Sequence, residues 1–360
     1  MDQRVSLEEG RGGDRPAADP RLRARLRAAL VSLVAGSVLL GVKFLAWHWT
    51  GSTAVLSDAL ESIVNVVAAV FALGAIAFAG RPADANHPYG HGKMEFFTAV
   101  FEGGLVAFAA VMILYEAVRA LVRGPEVHSL DLGLWMILGA GGANAALGTW
   151  LVREGRRTHS PALMADGQHV LSDFWTSAGV AVGLVLVWAT GAQWLDPVVA
   201  LVVGALLCWA GVRLVRRAAG GLLDEEDPEL LEELASLFAR SEVEGVIEVH
   251  EARAIRSGPY THVDAHVVVP EFWTVDRAHD AAERLERSVL GSWGREGEIV
   301  FHVDPCRRAY CARCPLADCA VRAEPFAGRP PVTRESIVGP PWSPGAGRAL
   351  RGQPRGAAAS

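Results

Sequence analysis

Six apolar stretches, near residues 28–49, 53–79, 96–121, 130–152, 162–189 and 196–215, dominate the first two thirds of the 360-residue chain. Each is long enough to cross a bilayer as a helix, which takes about 20 residues. Hydrocarbon offers backbone N–H and C=O groups no partners, so stretches of this length restrict the chain to a helical membrane bundle. The first two are joined by little more than Thr50 to Ser52. They therefore run antiparallel.

Basic residues set the orientation. Arg21, Arg23, Arg25 and Arg27 precede the first stretch, Arg81 and Lys93 follow the second, Arg153, Arg156 and Arg157 follow the fourth, and Arg213, Arg216 and Arg217 follow the sixth. Arg123 stands almost alone among cations on the opposite side. The positive-inside bias puts both termini in the cytoplasm, at the plasma (inner) membrane if the source is bacterial. The small residues from Gly139 to Ala146 read as a face where helices approach closely.

After Gly220-Gly221 the pattern becomes that of a soluble domain. Asp227-Pro228 can start a helix through Leu230, Leu231, Leu234 and Leu237, and Val246–Arg256 and His262–Val269 read as strands. Val275–Leu290 has helical spacing and Ile299–Val303 reads as a last strand. The expected fold is a membrane all-α six-helix bundle followed by a small cytoplasmic α+β (α-β-β-α-β) metal-binding domain. The expected boundaries are a disordered tail over 1–24, the transport domain over 25–218, the soluble domain over 219–305, a cysteine cluster over 306–322 and a second disordered tail over 323–360. A net charge of −6 leaves no basic footprint for nucleic acid, and membrane lipid is the expected surrounding.

Two polar pairs interrupt the apolar stretches: Glu61 with Asn65, and His169 with Asp173, each four residues apart. That spacing places both members on one helix face. A charged group in hydrocarbon costs at least about 2.5–3.5 kcal/mol, so such residues ordinarily line an ion path. Asp58 and Asp166 sit one turn from Glu61 and His169. Imidazole nitrogen and carboxylate oxygen in tetrahedral array suit Zn²⁺ best, with Fe²⁺, Co²⁺, Mn²⁺ and Cd²⁺ compatible.

Three further groups have metal-ligand chemistry. Asp84, His87 and His91 lie in a loop shaped by Pro88, Gly90 and Gly92, able to close round one divalent ion. The soluble domain offers His250, His266, His279, His302 and Asp304, with His262 nearby, and His302 and Asp304 leave one strand in the same direction. Cys306, Cys311, Cys314 and Cys319 form a C-x4-C-x2-C-x4-C cluster able to wrap one Zn²⁺, an Fe–S cluster fitting less well. Clustered thiols in a cytosolic segment point to metal rather than disulfides.

With these motifs in place, the chain resembles the cation diffusion facilitator family of six-helix divalent-metal/proton antiporters. The likeness runs from about Arg27 to Cys306. The family's second helix carries Asp or His, three residues and Asp, met here by Glu61-Ser-Ile-Val-Asn65, and its fifth carries His-x-x-x-Asp, met by His169-Val-Leu-Ser-Asp173. The run His87-Pro-Tyr-Gly-His91-Gly-Lys93 and the segment His302-Val-Asp-Pro-Cys306 extend the likeness to the loop and cytoplasmic sites. The resemblance implies a homodimer joined through the soluble domains, with Lys93 and Asp224 at positions of a charge pair near the dimer interface. It departs from the family at Asn65, where Asp is usual, which removes one negative charge and opens selectivity toward Fe²⁺, Co²⁺ or Ni²⁺ or recruits Asp58. The thiol cluster lies outside the family pattern.

The expected function is efflux of a divalent cation, Zn²⁺ first, in exchange for H⁺ by alternating access. Metal and proton compete for the same ligands, which couples them. A membrane-bound sensor or storage protein is the alternative. An enzyme is not expected, since neither a His-Glu-x-x-His motif nor a nucleophile elbow is present.

Overall fold

The computed structural model describes residues 20–50, 53–123 and 132–341. The chain divides after Leu223 into two compact units. Of the tail expected over 1–24, residues 20–24 form the start of the first helix, while residues 1–19 and the last part of the C-terminal tail lie outside the described residues.

The first unit contains six long helices: α1 (Pro20–Thr50), α2 (Thr53–Ala79), α3 (Met94–Arg123), α4 (Leu132–Arg157), α5 (Pro161–Thr190) and α6 (Leu195–Leu222). Among the described residues five of them, all but α4, contain a segment long and apolar enough to cross a membrane. Val34, Val38, Phe108, Leu206 and Trp209 face outward. A water-soluble bundle would bury such side chains, whereas lipid solvates them. α5 starts where Ser160 caps it, its side chain accepting from the Leu163 N–H at 3.3 Å, and ends at Gly191, whose φ of 71° few other residues adopt.

The helices pair as α1 with α2, α3 with α6 and α4 with α5. Along the Gly139–Ala146 run α4 approaches α5 closely at Gly141, where an added Cβ would stand 3.1 Å from Ser177 Cβ. A Cβ at Gly139 or Gly142 would meet no described atom, whereas one at Gly148 would stand 2.8 Å from the Gly167 carbonyl oxygen. Burying cationic groups needs partners, and Lys43 Nζ donates to Ser62 Oγ at 2.7 Å while Arg25 pairs with fully buried Glu95 at 3.4 Å.

The second unit follows the expected order. α7 (Pro228–Arg240) is capped by Asp227, which accepts from the Glu229 and Leu230 N–H groups, and buries Leu230, Leu231, Leu234, Leu237 and Phe238. β1 (Glu248–Ser257) and β2 (Tyr260–Val269) follow, then α8 (Val275–Ser292), which returns the chain to β3 (Glu296–Pro305) parallel to β2. The sheet order is β1-β2-β3. Alternation sends Val263, Ala265 and Val267 of β2 into a core shared with Leu231, Leu285, Val289 and Ile299, so His262, Asp264 and His266 emerge on the opposite face.

The alternation breaks in β1. Val249 and Ala252 both pack on the core although they are three positions apart, and Glu251 between them has a φ of 49°. This residue in the left-handed region acts as a bulge, leaving its own N–H out of the ladder. The N–H is satisfied elsewhere, by the Gly339 carbonyl at 3.0 Å.

That acceptor belongs to a segment expected to be disordered. Beyond Arg322 the chain folds back, Arg329 donates to the Val246 carbonyl at 2.9 Å, and a short helix α9 (Arg334–Val338) with a Thr333/Ser336 capping box sets Ile337, fully buried, into the soluble core. The high Pro and Gly content permits this path; one isoleucine anchors it. Ile337→Ala is expected to cost about 2–5 kcal/mol, read as a lower denaturant midpoint for the soluble domain's transition. A change below about 0.5 kcal/mol, the range of an ordinary surface substitution, would mean that α9 is not part of the folded core.

Candidate metal centres

In the membrane unit, α2 and α5 meet through side chains. Asn65 Nδ2 donates to Asp173 Oδ2 at 2.5 Å, and His169 Nε2 lies 2.9 Å from Asn65 Oδ1. A carboxylate only accepts, so the amide nitrogen must face Asp173 and the amide oxygen must accept from His169 Nε2–H. His169 is buried and its Nδ1 has no hydrogen-bond partner among the described residues. The i, i+4 spacing on α5 and the Asn65 position on α2 thus bring three of the four candidate residues together. α2 also carries Glu61 and Asp58, whose side chains lie outside the described residues.

Asp166, one turn before His169, is buried and leaves Oδ2 without a hydrogen-bond partner among the described residues. Sequence reading missed the group beside it. Glu102 of α3 is fully buried, neither carboxyl oxygen has a hydrogen-bond partner among the described residues, and it lies one turn along α3 from Ala99, which packs on Ala165 next to Asp166 in the chain. The packing that puts them together is the Ala99–Ala165–Ala218 contact of α3, α5 and α6. A lone Glu in an apolar helix was the available signal, but its facing could not be read without knowing which helices meet.

The loop between α2 and α3 closes as expected. Ligand atoms of Asp84, His87 and His91 all lie within 4.8 Å of one another. Asp84 Oδ1 accepts from the Asn86 and His87 N–H groups at 2.9 and 2.7 Å, and its two oxygens lie 3.1 Å from His87 Nδ1 and 3.3 Å from His91 Nε2. The His87 backbone N–H is the largest influence holding the Asp84 carboxyl below its usual range, so it is ionised. His91 is buried against the Phe78 ring, at 4.7 Å between centroids.

In the soluble unit, His250, His266 and Asp304 form the other group within 4.8 Å. Asp304 Oδ2 lies 2.9 Å from His266 Nδ1 and 3.4 Å from His250 Nε2, and Oδ1 is 3.5 Å from His302 Nε2. Burial pushes the His250 imidazole below its ordinary range, against the opposing pull of Glu248 and Asp304. It is therefore neutral and ready to ligate. Two carboxylates escaped the sequence reading: Glu248, 3.9 Å from His250 Nδ1, and Glu251, 3.7 Å from His266 Nε2. The bulge puts Glu251 beside His250 on the site face.

His279 does not join this cluster. α8 lies on the core face of the sheet through Ala278, Ala281, Ala282 and Leu285, and His279 is exposed, while His266 and Asp304 occupy the other face. His262 pairs instead with Glu298 at 2.8 Å. Lys93 stands in the turn before α3, and Asp224 follows α6 with a φ of 56°.

Comparison with known proteins places the chain. The cation efflux transmembrane domain model matches residues 29–223, and the cation efflux protein cytoplasmic domain model, a dimerisation domain, matches residues 227–306. The uncharacterized transporter sll1263 of Synechocystis sp. is 38% identical over 262 residues, covering 72% of this chain and 84% of its own length. The cation-efflux pumps FieF of Yersinia enterocolitica and Citrobacter koseri are 29% and 28% identical, covering 80% and 78% of this chain and 95% and 92% of their own. Long apolar helices and these matches define a multi-pass membrane transporter for cations. The chain belongs to the cation diffusion facilitator family of cation efflux proteins, whose substrates are divalent metals.

Proposed function

We propose that this transporter exports a divalent transition metal, Zn²⁺ first, in exchange for protons by alternating access around Glu61, Asn65, His169 and Asp173. The observation that carries the reading is the His169–Asn65–Asp173 contact between α2 and α5, helices of the membrane unit. Helix-borne ligands from two elements change their separation when the elements rock, so the site can open to one side at a time. Asp173 and His169 bind metal only when deprotonated, so each released ion leaves groups that take up protons.

Asp84, His87 and His91 act as a relay that concentrates metal at the cytoplasmic mouth. His250, His266, His302 and Asp304 hold metal in the paired soluble domains of a homodimer, with His279 free to serve across the dimer and Lys93 with Asp224 steadying the junction. Both termini face the cytoplasm, as the arginine distribution supports.

The test is uptake of Zn²⁺, Fe²⁺, Co²⁺, Ni²⁺, Mn²⁺ and Cd²⁺ into proteoliposomes with and without a pH gradient. Gradient-dependent flux is the expected result; metal binding without flux for any ion would overturn the proposal. Glu102 extends the test. As a buried carboxyl beside Asp166 it can carry a proton, and Glu102→Gln keeps its shape while removing that capacity. The variant is expected to bind metal normally and to lose the gradient-driven part of the flux. An unchanged gradient response would exclude Glu102 from proton movement.

A further inference from the structure

Directly after β3, at and beyond the last residue matched by the cytoplasmic family model, Cys306, Cys311, Cys314 and Cys319 line one small cavity together with Glu271, Arg307, Arg308 and Arg322. Cys311 and Cys314 are buried. The turn that brings them round is local: Tyr310 closes a single 3-10 turn, and its carbonyl accepts from the Arg313 and Cys314 N–H groups, both at 2.9 Å. The Arg322 guanidinium clamps the turn from outside, donating to the carbonyls of Cys311 at 3.2 Å, Cys314 at 3.3 Å and Leu316.

Two sulfurs receive backbone donors. The Glu271 N–H points at Cys306 Sγ, 3.4 Å away, and the Ala323 N–H at Cys311 Sγ, 3.2 Å away. A neutral thiol is a weak acceptor; a thiolate makes full use of such donors. The arginines tell the same story: Arg308 pairs with Glu271 at 3.1 Å, and Arg307 and Arg322 leave the lining with a net positive charge that suits a group with net negative charge.

We propose that these four cysteines hold one structural Zn²⁺ as a tetrahedral thiolate centre. Binding releases one proton from each thiol, and the Zn²⁺ with four thiolates carries a net charge of about −2, which the N–H donors and Arg307, Arg308 and Arg322 offset. Soft sulfur ligands alone separate this centre from the transport and relay sites, which offer nitrogen and oxygen. Its role is to pin the return of the chain toward α9 and to hold Arg313 3.4 Å from Glu248, beside His250.

The test uses the full chain in detergent. Loaded with Co²⁺ in place of Zn²⁺, the wild type is expected to show sulfur-to-cobalt charge-transfer absorption in the near ultraviolet. Cys311→Ser/Cys314→Ser should lose that band and one bound Zn²⁺ per chain, while Cys208→Ser keeps both. On the wild type alone, chelation is expected to open Cys306, Cys311, Cys314 and Cys319 to alkylation, and Zn²⁺ to close them again, so the result does not depend on a variant folding. Absence of the band, alkylation indifferent to Zn²⁺, or iron with acid-labile sulfide in the purified protein would each overturn the proposal.

Discussion

Asp173→Ala is expected to reduce metal flux at least about a hundredfold, while the protein still purifies as a folded dimer. Loss of a group that merely orients a ligand already weakens metal sites about 10–100-fold, and Asp173 is the carboxyl at the α2–α5 contact, accepting from Asn65 Nδ2 at 2.5 Å. Removing it strips the site of a carboxyl ligand and leaves the amide N–H without this acceptor. The fold has no equal stake, because α5 is held to α4 by the Gly148–Gly167 approach and buried Leu163 rather than by this polar contact. Proteoliposome flux with size-exclusion chromatography separates the two effects. Retained flux in a folded variant would remove Asp173 from the transport site.

Asn65→Asp should move affinity the other way and change the metal ranking. Two unit charges 4 Å apart interact by about 4 kcal/mol at an effective dielectric of about 20. Desolvation and repulsion from Asp173 offset part of the gain, leaving about 1.4–2.8 kcal/mol, or 10–100-fold tighter divalent binding. The variant also loses the amide that now links His169 to Asp173, so two carboxylates face each other and share a proton. Metal binding should then release one more proton than in the wild type. Titration calorimetry in buffers of different ionisation enthalpy reads both quantities; unchanged affinity across all six tested metals would show that position 65 does not ligate.

Local rules made much of this legible. Spacings of four on α2 and α5 announced the polar faces, and the short Asp84–His91 loop, with Gly90 at a φ of 78°, closes through backbone bonds within a few residues. Period-two alternation put His266 and Asp304 on one face of the sheet. Each depends only on neighbours in the chain.

Glu251 was hidden for a different reason, whereas Glu248 shares the face of His250 by ordinary alternation. A strand with uninterrupted alternation would direct Glu251 into the core, and a glutamate with positive φ has no sequence signature of the kind that glycine or asparagine supplies. The conformation is held from afar, by Gly339 accepting the orphaned N–H, and Gly339 is there because Ile337 fills the core. The exclusion of His279 from the cluster likewise follows from which face of the sheet α8 covers.

By itself, then, the sequence determined the membrane helices, the order of the α+β domain, the family and the residue types of the candidate metal centres, because hydrophobic length, helical period and strand alternation act over a few residues at a time. Only the tertiary structure decided that Glu102 is buried with neither oxygen hydrogen-bonded among the described residues, that the bulge in β1 turns Glu251 onto the histidine face, that α4 and α5 touch at Gly148 and Gly167, and that a proline-rich tail returns to the core. Those outcomes depend on which surfaces meet, and contacts between residues tens of positions apart are fixed by packing rather than by local spacing.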